Sequence, residues 1–171
     1  MRYLLFFLLL LTSCVTSVED TSYDTACSNT VGATACDFEL IDQNGDVFSL
    51  YSQRGKVIVL DISAQWCGPC QYAASTVQST QDTYGDKIAY ISIIMQDNYG
   101  NAADLSDIQV WSEYYEIAAP VLVGEKSFLG FSGWYLEAWP TFYYIDQNMV
   151  VRSYVRGFAE ATVKSNIEEL L

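Results

Sequence analysis

Val57-Ile58-Val59-Leu60-Asp61-Ile62 runs through Ser63-Ala64-Gln65 into Trp66-Cys67-Gly68-Pro69-Cys70. Apart from Asp61 the first stretch is apolar on both faces, the pattern of a central buried strand. Pro69 suits the first turn of a helix. Cys70, Ala73, Ala74, Val77 and Tyr84 then recur at helical spacing, and Gly85 marks a stop. A strand that ends in Cys-Gly-Pro-Cys and opens a helix places a thiol at the helix N-terminus. There the free N–H groups and the dipole stabilise a thiolate. The second thiol stands one turn further on, within reach of a disulfide with the first. This arrangement exchanges disulfides, so the stretch predicts redox chemistry as well as a fold.

Upstream of this unit, Phe38-Glu39-Leu40-Ile41 and Val47-Phe48-Ser49-Leu50 flank Asp42-Gln43-Asn44-Gly45-Asp46, a hairpin pattern. The three acidic or amide side chains superficially suggest a calcium loop. The glycine is misplaced for one and no Glu closes it, so a turn is expected. Downstream, residues 88–95 read as a second buried strand. Residues 102–115 read as a helix with Leu105, Ile108 and Trp111/Ser112 on one face. Pro120-Val121-Leu122-Val123 opens a less regular stretch to Trp139. Residues 141–145 and 149–156 read as strands joined by Asp146-Gln147-Asn148. A final helix shows Val163, Ile167, Leu170 and Leu171 on one face. Strand–helix–strand–helix followed by a hairpin and a helix predicts an α/β fold, a mixed sheet covered by helices on both faces.

Composition narrows the function. The chain has 171 residues, 51% hydrophobic and 15% aromatic, enough for one domain with a sizeable core. Its 8 basic and 21 acidic residues leave a formal charge of -13, which argues against nucleic-acid binding. The acidity is read as a solvated surface. With no His, Ser-His and Cys-His catalysis and His metal sites are excluded.

The first residues read as an export signal: Arg2, then an apolar stretch from Tyr3 to Leu11, too short to span a bilayer as a mature helix. Leu11-Thr12-Ser13-Cys14 resembles the lipobox of bacterial lipoproteins. That implies cleavage before Cys14, lipidation of Cys14, and a mature chain anchored outside the cytoplasm by acyl chains. The expected organisation is a signal peptide over 1–13, lipidated Cys14 and a tether over 14–36, and the domain over 37–171. Lipidation leaves four of five cysteines. Cys67 and Cys70 form the candidate active pair. Export permits a structural disulfide between Cys27 and Cys36, and two free thiols are the alternative.

Asp61 to Cys70 resembles the active-site segment of thioredoxins. The wider layout resembles the exported TlpA/ResA-type, or redoxin, branch of that superfamily. Asp37-Phe38-Glu39-Leu40, Asn44-Gly45, Gly55-Lys56, Ala119-Pro120-Val121-Leu122, Trp139-Pro140-Thr141 and Gly157 fall in that branch's order. The resemblance covers about Asp37 to Leu171 and implies a thioredoxin-like three-layer sandwich with an N-terminal β-hairpin. It implies Cys67 as the exposed nucleophile and Cys70 as the resolving thiol, acting through a mixed disulfide. Asp61, a carboxylate in an apolar strand, is the candidate base for Cys70, because burial raises its pKa. A strand-edge carboxylate facing water is the alternative. Gly68 and Pro69 limit backbone freedom between the thiols and tune redox poise, and similar proteins with Gly-Pro tend to be reductants. Trp66 is expected to shield one side of the disulfide. Pro140 is expected as a cis proline facing it, and the backbone of Trp139 as a partner for an extended substrate. Trp139 departs from the smaller residues usual before this proline. Phe128, Phe131, Trp134, Tyr135 and Trp139 are candidates for a binding groove, against simple packing.

Rival readings are weaker. Zinc needs four ligands, and the chain has no His to join Cys67 and Cys70. A peroxiredoxin needs a Thr two or three residues before its reactive Cys, and none is there. A non-catalytic binding module would tolerate loss of an active Cys or of Pro140, yet all are present. The expectation is a disulfide reductase with no cofactor beyond the Cys67–Cys70 pair, and an oxidase or isomerase of exported proteins is the alternative. Its partners would be exported protein thiols and disulfides, a membrane dithiol electron donor, and the membrane through the lipid. The chain is read as a monomer.

Overall fold

In a computed structural model, the described residues are 27–130 and 133–171. The expected signal peptide, Cys14, most of the tether and Phe131 therefore lie outside the described residues. The N-terminal hairpin pairs β1 (Glu39–Ile41) with β2 (Val47–Ser49) antiparallel. Its turn is held by the Asp42 carboxylate, which accepts from the N–H groups of Asn44 and Asp46 at 2.8 and 3.0 Å. Gly45 supplies the positive φ of 85° that the turn requires. The acidic side chain is thus used by the turn itself.

The main sheet has five strands in the order β5-β4-β3-β6-β7. These are β3 (Val57–Ser63), β4 (Ile88–Ile94), β5 (Val121–Val123), β6 (Thr141–Ile145) and β7 (Val151–Arg156). The apolar run that opens the reading is the central strand: all seven residues of β3 are buried. It pairs parallel with β4 and antiparallel with β6, so the sheet is mixed. The α-helices are α1 (Gly68–Tyr84), α2 (Leu105–Tyr114) and α3 (Glu160–Leu170). Among the described residues no helix is long and apolar enough to cross a membrane.

The sheet is the middle layer of three, the thioredoxin-like sandwich that the resemblance implies, but its two coverings differ. Ala73, Ala74 and Val77 of α1, Ile108 and Trp111 of α2, and Val163 and Ile167 of α3 all join one core with Val57, Val59, Tyr90 and Tyr144. The opposite core, with Ile58, Leu60, Ile62 and Ile91, is closed by Leu40 of the hairpin, Leu50, Phe128 and Trp134. Single 3-10 turns over Leu50–Gln53 and Lys126–Phe128 supply the helical part of that covering. The cause is topological. From β3 to β4 to β5 the chain steps in one direction across the sheet, and right-handed crossovers put α1 and α2 on the same face.

Boundaries shift for local reasons. The second helix begins at Leu105, not at 102, because Asp104 and Asp107 form a reciprocal capping box. The last strand begins at Val151 because Met149 takes a φ of 65° in the preceding turn. Residues 121–123, read from sequence as irregular, add β5 beside β4; three residues are too few to display a period.

Residues 27–36, expected as part of the tether, dock on the domain. Cys27 is bonded to Cys36, with Cα atoms 4.9 Å apart. Ala35 is buried and donates to the Met149 carbonyl at 2.7 Å, while Gly32 donates to Val151 at 2.8 Å. The bond closes a loop whose ends are nine residues apart. The chain-entropy argument assigns such a loop roughly 2–3 kcal/mol. Replacing both cysteines with Ser is expected to lower unfolding free energy by that amount in urea titrations; an unchanged midpoint would show that the docked backbone alone fixes the segment.

Candidate functional site

The site lies where β3 passes into α1. Cys67 is the N-cap residue of α1, in extended backbone geometry, with Pro69 in the first turn. Its Sγ accepts a hydrogen bond from the Cys70 N–H at 3.2 Å. A helix start leaves N–H groups without intrahelical partners, and here one of them is spent on sulfur. No acidic residue stands in the first turn to oppose a thiolate. Cys67 and Cys70 are disulfide-bonded, with Cα atoms 5.2 Å apart.

The two sulfur-bearing residues differ in access. Cys67 keeps 4% exposure and Cys70 none. Both pack with Ala64, and Trp139 lies against this group. Trp66, expected as the shield, is 45% exposed, donates from Nε1 to Gln96 Oε1 at 2.9 Å, and meets Trp139 edge-on with ring centroids 6.0 Å apart. Trp139 thus packs on the cysteine cluster, with Trp66 edge-on against it. The Trp139–Pro140 peptide bond is cis, and Pro140 is buried.

Three glutamines, which the sequence reading passed over, brace the loop. The Gln65 N–H donates to the Gln96 carbonyl at 2.9 Å, and its side chain to the Asp107 carbonyl at 2.8 Å. The Gln71 side chain returns to the Gln65 carbonyl at 2.8 Å. Their partners are backbone carbonyls, which leave no pattern of side-chain types in the sequence.

Asp61 is 1% exposed, which sets aside the water-facing alternative. Val57 and Val59 belong to the helix-side core, so by alternation Asp61 and Ser63 point to the same side. The inner positions of α1 that follow Cys70 pack into that same core. Ser63 Oγ donates to Asp61 Oδ1 at 2.5 Å. Burial pushes the Asp61 carboxyl up from 3.8 to about 7, against the lowering pull of the Ser63 hydrogen bond. Ser63 was legible in principle: two residues from Asp61 in a strand means the same face.

The candidate groove dissolves into parts. Phe128 and Trp134 are buried at 6% and 2%. They are core residues: Phe128 meets Phe38 at 5.1 Å and Trp134 meets Tyr143 at 4.9 Å between centroids. Tyr135 is exposed. Of the described members of that set, Trp139 packs on the Ala64, Cys67 and Cys70 cluster, and it also lines an apolar cleft of about 310 Å³ with Met95, Ala102, Gly124 and Leu129.

A family model described as the AhpC/TSA family matches residues 31–154. The chain is 30% identical over 124 residues to the thioredoxin-like protein YneN of Bacillus subtilis (strain 168), covering 71% of this chain and 68% of that protein. It is 23% identical over 141 residues to the thiol-disulfide oxidoreductase ResA of Geobacillus thermodenitrificans (strain NG80-2), covering 82% and 78%. Its fold is similar to that of a putative thiol:disulfide interchange protein DsbE from Chlorobium tepidum, with a TM-score of 0.69 and 24% identity over 84% of this chain and 99% of the other.

Proposed function

Because the chain belongs to the AhpC/TSA family and is a thiol:disulfide oxidoreductase of the thioredoxin type, we propose that it reduces disulfides of exported proteins through Cys67 and Cys70, from a lipid anchor outside the cytoplasm. The observation that carries the reading is the inequality of the two cysteines. Cys67 caps the helix and keeps 4% exposure; Cys70 keeps none and lies over the face to which Asp61 points. The accessible sulfur is the one a substrate disulfide can meet. The sealed one is left to resolve the mixed disulfide.

The cycle follows. The Cys67 thiolate attacks a substrate disulfide and releases one substrate thiolate. Asp61 takes the proton of Cys70; the Cys70 thiolate attacks the Cys67 sulfur, and the second substrate thiolate leaves. The product is the Cys67–Cys70 disulfide and a reduced substrate. No group beyond this pair is invoked. The Trp139 backbone has no hydrogen-bond partner among the described residues and stands beside the cysteines, which suits pairing with an extended substrate chain. The resting disulfide must be reduced again, and a membrane dithiol carrier fits an anchored protein. Gly68-Pro69 favours the reducing direction. The two thiols three residues apart suit dithiol exchange better than peroxide reduction.

The deciding measurement is the potential of the Cys67–Cys70 couple in a thiol redox buffer, with insulin reduction as the activity. A value near the roughly −270 mV of thioredoxin supports a reductase; one near about −120 mV makes the chain an oxidase. Expressed in bacterial cells, the wild-type chain is expected in the detergent phase of a Triton X-114 partition and Cys14→Ser in the aqueous phase. Equal partition of the two would remove the anchor.

A further inference from the structure

Three side-chain oxygens among the described residues are buried with no hydrogen-bond partner: the hydroxyls of Tyr90, Ser92 and Tyr144. They are not scattered. Ser92 on β4 stands directly opposite Asp61 in the parallel register, and Tyr90 stands opposite Val59. Tyr144 on β6 stands opposite Val59 from the other side. Tyr90 and Tyr144 lie in the same helix-side core as Val59. Alternation turns Ser92 and Asp61 to that face too. The three orphan hydroxyls therefore flank one carboxylate from both neighbouring strands, under the helix that carries Cys70. Tyr90 and Tyr144 are fully buried, and Ser92 and Asp61 are 1% exposed.

Packing does not account for the oxygens. A buried hydroxyl without a partner is destabilising, and Phe or Ala would fill these places without that penalty. Buried orphans are rare in folded proteins, and three around a single acid form a pattern. Their chemistry is complementary to it: each hydroxyl can donate, and an ionised carboxylate only accepts. Of the Asp61 oxygens, Oδ1 already accepts from Ser63.

We propose that Tyr90, Ser92 and Tyr144 are positioning residues for Asp61: their hydroxyls turn toward its carboxylate, directly or through one water, and hold its charged form beneath Cys70. This rests on the reading of Asp61 as the proton acceptor for Cys70. In the step concerned, the proton passes from the Cys70 thiol to the Asp61 carboxylate. The Cys70–Cys67 bond forms, the Cys67–substrate bond breaks, and the electron pair leaves on the substrate sulfur.

The surroundings leave this task to neutral donors. β4 offers Tyr90 and Ser92, and β6 offers Tyr144 and the apolar Phe142 opposite Asp61. α1 offers Cys70, Ala73, Ala74 and Val77, and α3 offers Val163 and Ile167. Burial raises Asp61 and the Ser63 hydrogen bond lowers it, with no ionised side chain among the described residues as a further cause. The charge of Asp61 in turn raises both tyrosine hydroxyls, with desolvation the larger cause.

The test isolates resolution of the mixed disulfide. Reduced protein is mixed with excess oxidised glutathione, and the concentration-independent second phase of thiol release is followed from pH 5 to 9. Wild type is expected to show one rising limb. In Tyr90→Phe/Tyr144→Phe that limb moves up by about one pH unit, about a tenfold slower phase on its acid side, because one unit is a tenfold change in proton affinity. Phe keeps the ring packing of both tyrosines, so the variant should stay folded, and a thermal melt at pH 5, where Asp61 holds its proton, should match wild type. Ser92→Ala, which deletes one small buried oxygen, provides a second variant and should move the limb the same way by a smaller amount. If these variants keep the wild-type limb while Asp61→Asn loses it, the positioning role is overturned and the Cys67/Cys70/Asp61 reading survives. If Asp61→Asn keeps the limb, both are overturned.

Discussion

Cys67→Ser is expected to abolish disulfide exchange, whereas Cys70→Ser should attack its substrate once and stay attached to it. The asymmetry follows from the site. A serine at the cap of α1 still accepts the N–H that Cys67 Sγ accepts at 3.2 Å, so the helix start survives. It offers no thiolate, and turnover of an insulin disulfide should fall by roughly 10⁴-fold or more. Cys70→Ser leaves the helix N-terminus and the Cys67 thiolate in place. The first attack proceeds, but nothing sealed inside the helix expels the product. Intact-mass analysis after mixing with a disulfide peptide should then show a one-to-one adduct that dithiothreitol removes. An adduct on Cys70 in the Cys67→Ser variant would reverse the assignment, since Cys70 has no exposure in the bonded form.

Asp61→Asn is expected to separate stability from activity. The native Asp61 titrates at about 7, against an ordinary value of 3.8. Between those two values the folded chain holds a proton that the unfolded chain has released. Stability from this group is therefore fully present below about pH 4 and is lost as pH rises to about 7. The loss is roughly 4 kcal/mol, at about 1.4 kcal/mol per tenfold change in proton affinity. Asn imitates the protonated acid at every pH. The variant should match wild type near pH 4 and exceed it by up to roughly 4 kcal/mol at pH 8, measured by urea unfolding. Resolution by Cys70 should meanwhile slow by about 10²–10⁴-fold near neutral pH, the usual contribution of a placed general base. An equal stability difference at both pH values would mean that burial does not hold the proton on Asp61.

Much of this architecture was legible because the chain announces it locally. The run from Val57 to Ile62 is apolar on both faces, and only a central strand uses such a run. The cysteine pair, Pro69 and the helical spacing to Val77 then place a thiol at a helix start without any tertiary information. Asp61 stood out as the lone charge in that run. What escaped was set by distant partners. β5 is three residues long and exists because β4 offers an edge. The docking of residues 27–36 depends on carbonyls of Met149 and Val151, far along the chain. Phe128 and Trp134 read as groove because aromatic clusters near a site look alike whether they face solvent or core. Their burial follows from the lopsided covering of the sheet, where side chains must fill a face that none of the described α-helices covers.

The buried acid also gives the molecule an unusually quiet titration background. Ordinary carboxylates finish titrating well below neutrality and lysines begin well above it; only His normally bridges the interval. This chain has none. With Cys27–Cys36 and Cys67–Cys70 both bonded, those four thiols do not contribute, and lipidation of Cys14 in the proposed anchored form removes the fifth. Apart from the terminal α-amino group, proton uptake by the oxidised domain near pH 7 is thus expected to come mainly from Asp61, which burial pushes up to about 7. Proton counting can then follow the inside of this protein without a label, and the same curve after reduction reports what the opened pair adds.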